Sequence, residues 1–159
     1  MNVENKGMKL IGIFFIVTYS LSMPKTWAQD ITGMWKAIDD KSGYARARVN
    51  IYKSNDGSYE GKIEEVYPLP GQATAFTDKC FRCKGELKDT PLKGMRILYG
   101  LKKNMNKADE YNDGYVIDPI SGNVYKGRIK TNASATRINL RGYIGTSALG
   151  RTQIWMRMD

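Results

Sequence analysis

Histidine is absent from this sequence of 159 residues. Serine–histidine and cysteine–histidine nucleophile pairs are therefore excluded, as are metal sites with histidine ligands. Paired carboxylates could still act as acid and base, and the candidates are Glu64, Glu65, Asp113 and Asp118. None has sequence neighbours that identify a carboxylic acid with a raised pKa, so we interpret all four as solvated strand and turn residues. We therefore expect a protein that is not an enzyme and that uses no cofactor.

Cysteine is almost absent, since the chain contains only Cys80 and Cys83. A single C-x-x-C without a second pair cannot supply four zinc ligands, so we expect no metal site. In an exported chain the two cysteines are best interpreted as a disulfide that staples a loop and contributes about 2 kcal/mol. The alternative is a redox dithiol, in which Arg82 and the adjacent lysines would lower a thiol pKa.

A long hydrophobic run is also lacking. The apolar segment 10–21 is too short to span a bilayer comfortably, follows a short basic start, and precedes the small residues Thr26 and Ala28. This pattern predicts a signal peptide at residues 1–28, removed after Ala28, and a single mature domain at residues 29–159 without a transmembrane segment. The alternative is an uncleaved anchor. Cleavage would place the protein in the periplasm or the medium.

Acidic residues are fewer than basic ones, and the formal net charge is +9. Residues 1–28 contain three lysines and one glutamate, so the mature domain carries +7. A basic domain favours anionic partners such as acidic lipids or polysaccharides, whereas nucleic acid is scarce outside the cytoplasm and is not expected. Because Lys and Arg are scattered along the chain, solubility alone is the alternative explanation.

Helical periodicity is missing as well, and the mature sequence consists of short alternating segments separated by turn residues. The predicted strands are 34–38, 44–53, 58–67, 95–101, 114–117, 124–131, 137–144 and 152–158. Hairpin turns are predicted at 55–57, 112–114 and 121–123, where Gly or Asn tolerates positive φ. About eight sequential antiparallel strands hide their edges best in an all-β up-and-down barrel of lipocalin-like shape. A β-sandwich is the alternative.

One strand leaves open which of its faces points inward. In segment 44–52, Tyr44, Arg46 and Arg48 alternate with small apolar residues, so either set could face the interior. We predict a polar-aromatic face that lines a lumen or one mouth of the barrel and binds a ligand; its members are Tyr44, Arg46, Arg48, Tyr125, Arg141 and Tyr143. The alternative is that these residues face solvent and aliphatic side chains fill the interior.

The two ends of the mature sequence carry tryptophan and arginine in a way that suggests closure of the barrel. Closure brings the first and last strands together, and we predict that the guanidinium of Arg157 stacks on the indole of Trp35. Gly33 would leave room for this approach. Arg151 and Trp155 of the last strand are assigned to the same structural group.

Taken together, several motifs resemble those of the exported bacterial family called domain of unknown function 2147. They are Gly33-x-Trp35, Ser42-Gly43, Tyr59-x-Gly61-Lys62-Ile63, Cys80-x-x-Cys83-x-Gly85, Pro91-Leu92-x-Gly94, Asp118-Pro119-x-Ser121-Gly122-x-x-Tyr125, Arg141-Gly142-Tyr143-x-Gly145 and Leu149-Gly150-Arg151-Thr152-Gln153-x-Trp155-x-Arg157. The resemblance spans nearly all of the mature chain. It implies export, a β-barrel-like domain and the cysteine pair, and it brings no established activity with it.

Three functional hypotheses follow from the sequence. The first is an exported, non-catalytic, monomeric barrel that binds a small amphipathic or anionic ligand. The second is a cell-envelope interaction protein that docks through a basic surface. The third is a thiol–disulfide protein that acts through Cys80 and Cys83.

Overall fold

The computed structural model describes Met1, residues 30–73 and residues 77–158. The predicted cleavage point and all but the first residue of the predicted signal peptide lie outside the described residues. The elements are β1 (Gly33–Ile38), β2 (Ala45–Lys53), β3 (Tyr59–Val66), a 3₁₀ turn (Gly85–Leu87), β4 (Arg96–Lys103), β5 (Glu110–Asp118), β6 (Asn123–Thr131), β7 (Arg137–Tyr143) and β8 (Gly150–Arg157). Within these ranges, no helix is long and apolar enough to cross a membrane.

The eight strands form one closed antiparallel barrel in which each strand pairs with its neighbours in sequence. β1 pairs with β8 and completes the ring. The predicted up-and-down barrel is therefore confirmed, and the β-sandwich alternative is wrong. Full closure removes both sheet edges, which would otherwise expose unpaired backbone groups.

The prediction of a hairpin turn at 112–114 is wrong, because these residues lie inside β5. The register with β6 shifts between Tyr111 and Gly114, and Asp113 has φ of 61°. The segment thus forms a β-bulge, which takes up the same positive φ that a hairpin turn would have used. The true connection from β4 to β5 is 104–109.

Alternation decides which face of each strand points inward. Val49 and Ile51 of β2, Ile129 of β6 and Ile138 of β7 are buried, while the polar residues between them face outward. Trp35 and Trp155 are also buried and contribute the largest side chains of the core. The aliphatic face of β2 is therefore the inner one.

Arg157 closes the barrel at the end where β1 begins. Its guanidinium carbon lies 4.4 Å from the centre of the Trp35 ring, and the two residues are Cα partners in the β1–β8 pairing. The same guanidinium donates to the carbonyl oxygens of Ala135, Thr32 and Asp30 at 2.6–2.8 Å. The predicted contact is confirmed.

The Arg157 side chain stacked on Trp35, which we call the plug, requires space beside β1, and Gly33 provides it. It has φ of 116°, and an added Cβ would lie 3.1 Å from an Arg157 guanidinium nitrogen. Both its backbone conformation and its position against Arg157 therefore favour glycine. Its predicted role in closure is borne out by this geometry.

Two buried tyrosines fill the space beside the plug. The rings of Tyr59 and Tyr111 pack edge to face with centroids 4.9 Å apart, and the Tyr59 hydroxyl donates to Asp30 Oδ2 at 2.9 Å. Burial raises the pKa of Tyr111 to about 12. The pKa of Tyr59 is raised still more, mainly by burial and secondly by its hydrogen bond to Asp30. This end of the barrel is packed shut.

Candidate functional site

A cavity of about 770 Å³ occupies the other end of the barrel. Four connections meet there: 39–44, 67–95, 119–122 and 144–149. Each of them contributes at least two residues to the lining. The opposite end of the barrel is packed by Trp35, Tyr59, Tyr111 and Arg157. The end at which the four connections meet is therefore the open one, and we call it the mouth.

The wall of the cavity is mainly apolar. Its apolar lining includes Ala37, Ala47, Val49, Ile63, Leu92, Ile97, Val116, Ile117, Leu140 and Trp155, and Gln153 adds an uncharged polar side chain. Trp155 is buried and belongs to the wall, whereas Trp35 does not line the cavity. A volume of this size, walled by aliphatic and aromatic side chains, is typical of sites that enclose one small molecule.

Charged residues gather only at the mouth, where Asp39, Lys41, Arg46, Asp118 and Arg151 line the cavity. The Arg151 guanidinium is already engaged, since it bonds to the carboxylates of Asp39 and Asp40. The hydrogen bond from Arg151 lowers the pKa of Asp40. Asp118 accepts hydrogen bonds from the Ser121 hydroxyl and the Ile120 amide.

Arg46 and Lys41 are the two mouth cations left without such partners. Neither side chain takes part in an ion pair or hydrogen bond within residues 30–73 and 77–158. Arg46 is half-buried, while Lys41 is exposed. Among the described residues, the mouth therefore has two cations without ion-pair partners beside a mainly apolar cavity.

A β-bulge explains why Arg46 reaches the cavity. In the β1–β2 pairing, Ala37 faces Ala47 and Ile38 faces Ala45, so Arg46 is the extra residue of β2. Bulges redirect a side chain away from strict alternation. Two residues further on, Arg48 follows the regular pattern and pairs on the outside with Glu65 at 3.2 Å.

The structure divides the six residues of the predicted polar-aromatic face. Arg46, Tyr125 and Tyr143 line the cavity near its mouth. Tyr44, Arg48 and Arg141 are not among the lining residues. Tyr44 is 51% exposed, and Arg141 crosses the outer surface of β7 to the carbonyl oxygens of Ser147 and Ala148. The prediction that all six share one face lining a lumen or a mouth is therefore wrong for Tyr44, Arg48 and Arg141, which alternation places on the outer side.

Two residues predicted to close the barrel have a different location from Gly33, Trp35 and Arg157. Trp155 is the Cα partner of Ala37 in the closing pair of strands, as predicted, but its side chain also forms cavity wall. Arg151 stands at the mouth, at the opposite end of β8 from Arg157. Its ion pairs tie β8 to the connection that follows β1.

The long connection 67–95 carries the cysteine pair and forms one side of the mouth. Cys80 and Cys83 are joined in a disulfide, as predicted. Cys80 Sγ lies 3.3 Å from the carbonyl oxygen of Pro119. Gly122 has φ of 73°, and an added Cβ would overlap the carbonyl group of Arg82. The disulfide turn therefore packs on the β5–β6 connection beside the cavity.

The remaining carboxylates considered in the sequence do not form a constellation. Glu64 pairs with Lys62, Glu65 with Arg48, and Asp113 is exposed in the bulge of β5. Of these four carboxylates, only that of Asp118 lines the cavity. Among the described residues, no group of three or more potential Cys, Asp or Glu ligands could hold a metal ion.

Comparison with known proteins places the chain in a family. Residues 33–157 match the family described as "Uncharacterized protein conserved in bacteria (DUF2147)". The solved structure of protein HP1028 from Helicobacter pylori, described as belonging to the lipocalin family, superposes with a TM-score of 0.67 and 17% identity. The match covers 82% of this chain and 84% of that one, and shows a shared fold. No curated protein sequence matches this chain.

Proposed function

We propose that this chain, which belongs to the family DUF2147, is an exported, non-catalytic binding barrel whose lumen holds a small amphipathic ligand with an acidic group. The observation that carries the proposal is the cavity of about 770 Å³, which is lined mainly by apolar side chains and has Arg46 at its mouth. Arg46 forms no ion pair within residues 30–73 and 77–158. Transfer of the apolar part of such a ligand from water into the cavity is favourable, because it removes apolar surface from contact with water. An acidic head would remain at the rim beside positive charge.

Orientation follows from the distribution of polarity. A carboxylate or sulfate buried in the aliphatic depth would lose its hydration without compensation. At the mouth it can accept charge-assisted hydrogen bonds from the guanidinium of Arg46 while staying close to water. The ligand is therefore expected to enter with its apolar end first and to leave its acidic end beside Arg46 and Lys41.

Tryptophan fluorescence offers a direct test, because Trp155 lines the cavity and Trp35 lies outside it. Titration with laurate should change the emission of the purified exported protein. The response should disappear in Trp155→Phe and persist in Trp35→Phe. Dodecanol, which has the same chain length without the charge, should bind more weakly. An unchanged emission, together with no small molecule retained in native mass spectrometry of protein from its own host, would count against the proposal.

The thiol–disulfide hypothesis receives less support from the geometry. Cys80 and Cys83 are both buried, with 0% and 4% of their surface exposed. Disulfide exchange requires a thiolate to approach one of the sulfur atoms, and burial restricts that approach. We therefore assign the pair to holding the loop in place, and alkylation with and without a reductant tests this assignment.

A further inference from the structure

Charge is divided unevenly around the barrel wall. The four consecutive strands β6, β7, β8 and β1 contain no Asp or Glu, and neither does the whole segment from 119 to 158. The carboxylates of the strands lie on β3 and β5. Half of the wall is therefore purely basic, although the overall charge gives no hint of where the excess resides.

Six cations point outward from this half. They are Lys36, Lys126, Arg128, Lys130, Arg137 and Arg141, and we call the outer surface that they share with β8 the basic face. Their neighbours along each strand, such as Ile129, Ile138 and Leu140, are buried inside the barrel. Alternation therefore places all six on the outer side.

In the part of the chain that the structure describes, most of these cations lack an acidic partner. Lys130 lies 3.6 Å from Asp109. None of the others takes part in the ion pairs formed among residues 30–73 and 77–158. Arg128 and Arg141 are cross-strand partners in the sheet register. The Arg141 guanidinium donates to Thr152 Oγ1 and to the carbonyl oxygens of Ser147 and Ala148, so its charge is hydrogen-bonded but not neutralised by a carboxylate among these residues.

Exposed apolar side chains lie between the cations on β8. Ile154 and Met156 each have 43% of their surface exposed. In the sheet register, Met156 is flanked by Arg137 of β7 and Lys36 of β1. A soluble polyanion would gain nothing from these side chains, whereas a bilayer can accept them between its headgroups while its phosphates contact the cations.

We infer that the basic face is a docking surface for a bilayer rich in anionic phospholipid. Cations on β6, β7 and β1 supply the electrostatic attraction, and Ile154 and Met156 of β8 enter the interfacial region. This surface lies on the side of the barrel, apart from the mouth, so docking does not depend on whether the lumen holds a ligand.

Vesicle cosedimentation of the purified exported protein tests this inference. The protein should bind vesicles of equal parts phosphatidylglycerol and phosphatidylcholine, should not bind pure phosphatidylcholine, and should dissociate as salt is raised. The double variant Lys126→Glu/Arg137→Glu should weaken partitioning about tenfold or more, because each cation near an anionic surface contributes on this scale. Both side chains are exposed, and circular dichroism should show an intact barrel.

A matched control changes the net charge equally on another part of the wall. Lys102→Glu/Lys103→Glu alters two exposed residues of β4, outside the basic face. This variant should retain most of the vesicle binding. Equal losses in the two double variants would mean that net charge alone is responsible and would overturn the inference. So would the absence of any binding to the phosphatidylglycerol vesicles at low salt.

The apolar contribution separates a bilayer from a soluble polyanion. Ile154→Ser/Met156→Ser should weaken binding to the vesicles several-fold and leave binding to dextran sulfate unchanged. If this variant binds vesicles as well as the unmodified protein does, and dextran sulfate competes fully, the basic face is a polyanion site and the bilayer inference is overturned.

Discussion

At the scale of single residues, Arg157 combines several interactions in one side chain. Its guanidinium stacks on Trp35 and donates to three backbone carbonyl groups, and burial lowers its pKa. Arg151, on the same strand, is more exposed and pairs with carboxylates at the rim. The two arginines therefore form a matched comparison for the contribution of the plug.

We predict that Arg157→Ala lowers the free energy of unfolding by about 1–3 kcal/mol, because it removes a partly desolvated cation–π contact and the packing of the arginine stem. Trp35→Ala should cost about 3–5 kcal/mol, since it also leaves a cavity. Arg157→Lys should recover only part of the loss, because an ammonium does not stack as a planar guanidinium does. Urea denaturation measures all three.

Arg151→Ala serves as the control for this series. An exposed ion pair contributes about 0–1 kcal/mol, so the loss should be smaller than for Arg157→Ala. Equal losses for the two alanine variants would refute a special role of the plug in stability.

Arg46 and Arg48 provide a second matched pair, since both lie on β2 but only Arg46 lines the cavity. Arg46→Gln should weaken laurate binding by about 1.5–3 kcal/mol, the contribution of a hydrogen bond to a charged group. Arg48→Gln should leave binding unchanged, as should either substitution for dodecanol. Calorimetric titration of the three proteins distinguishes these outcomes. A similar loss in both variants would indicate that the acidic group does not bind at Arg46.

The two buried tyrosines, Tyr59 and Tyr111, make the free energy of unfolding depend on pH in the alkaline range. Tyrosine ionises near its ordinary pKa of about 10 in the unfolded chain, whereas the folded chain holds the pKa of Tyr111 at about 12 and raises that of Tyr59 too. The folded state therefore keeps protons that the unfolded state releases. The stability from this difference is complete below pH 10 and is lost as the pH rises towards 12.

We predict a lower free energy of unfolding at pH 11 than at pH 8, measured by urea denaturation. Tyr111→Phe should show a smaller decrease over this interval, because the phenol that must stay protonated is gone. Tyr115→Phe, at a position 51% exposed on the same strand, is the control and should behave like the unmodified protein. If the Tyr111 and Tyr115 variants lose the same amount, the attribution to Tyr111 is wrong.

At the scale of elements, the connection 67–95 depends on a short covalent staple. The disulfide turn rests on Pro119 and Gly122 of the β5–β6 connection, while Thr77 and Leu92 of the same long connection line the cavity. By fixing the turn against the β5–β6 connection, the disulfide therefore also fixes part of the cavity mouth.

We predict that Cys80→Ser/Cys83→Ser lowers the free energy of unfolding by about 2 kcal/mol, the loop-entropy value for so short a ring. Hydrogen exchange should accelerate in 77–95 and change little in the barrel strands. Alkylation of the unmodified exported protein should label neither cysteine unless a reductant is added first. Labelling of both without a reductant would favour the dithiol hypothesis.

The strands themselves were largely predictable from the sequence, for a local reason. Alternation and turn residues are encoded within a few positions, so seven of the eight strands fell within two residues of their observed bounds, and the need to hide edges pointed to a barrel. The exception is β5, predicted at 114–117 and observed at Glu110–Asp118. The bulges were not predictable in this way. The Asp113–Gly114 step suits a turn or a bulge equally, and the pairing partner decides between them.

The same limit applies to the candidate site. Arg46 and Arg48 are equivalent by alternation, and only the register of β2 against β1 separates them. Three of the six residues predicted for the ligand face therefore line the cavity, and their role in ligand binding stays a prediction. A basic docking surface was among the hypotheses, but its location was not predicted because the cations were judged along the whole chain, although the absence of Asp and Glu from 119 to 158 is visible in the sequence.

At the scale of the whole molecule, the location of the protein depends on its first residues. We predict that the exported protein begins at Gln29, because Thr26 and Ala28 are the two small residues that precede a signal-peptidase cleavage point after Ala28. N-terminal sequencing or intact mass measurement of the exported protein would show this start. Detection of Met1 or Met8 at the N-terminus of the exported protein would contradict cleavage.

The contact that completes the ring also sets the order of events during synthesis. Arg157 bonds to Thr32 across a separation of 125 residues, and contacts so distant in sequence form slowly. Before β8 has left the ribosome, at most seven strands can pair. They can form only an open sheet with two unpaired edges, in which Trp35 of β1 lacks its contact with Arg157. The barrel can therefore close only after translation of nearly the whole chain. Such a delay would suit the export predicted from the sequence, because a chain that cannot close early can still be threaded across a membrane.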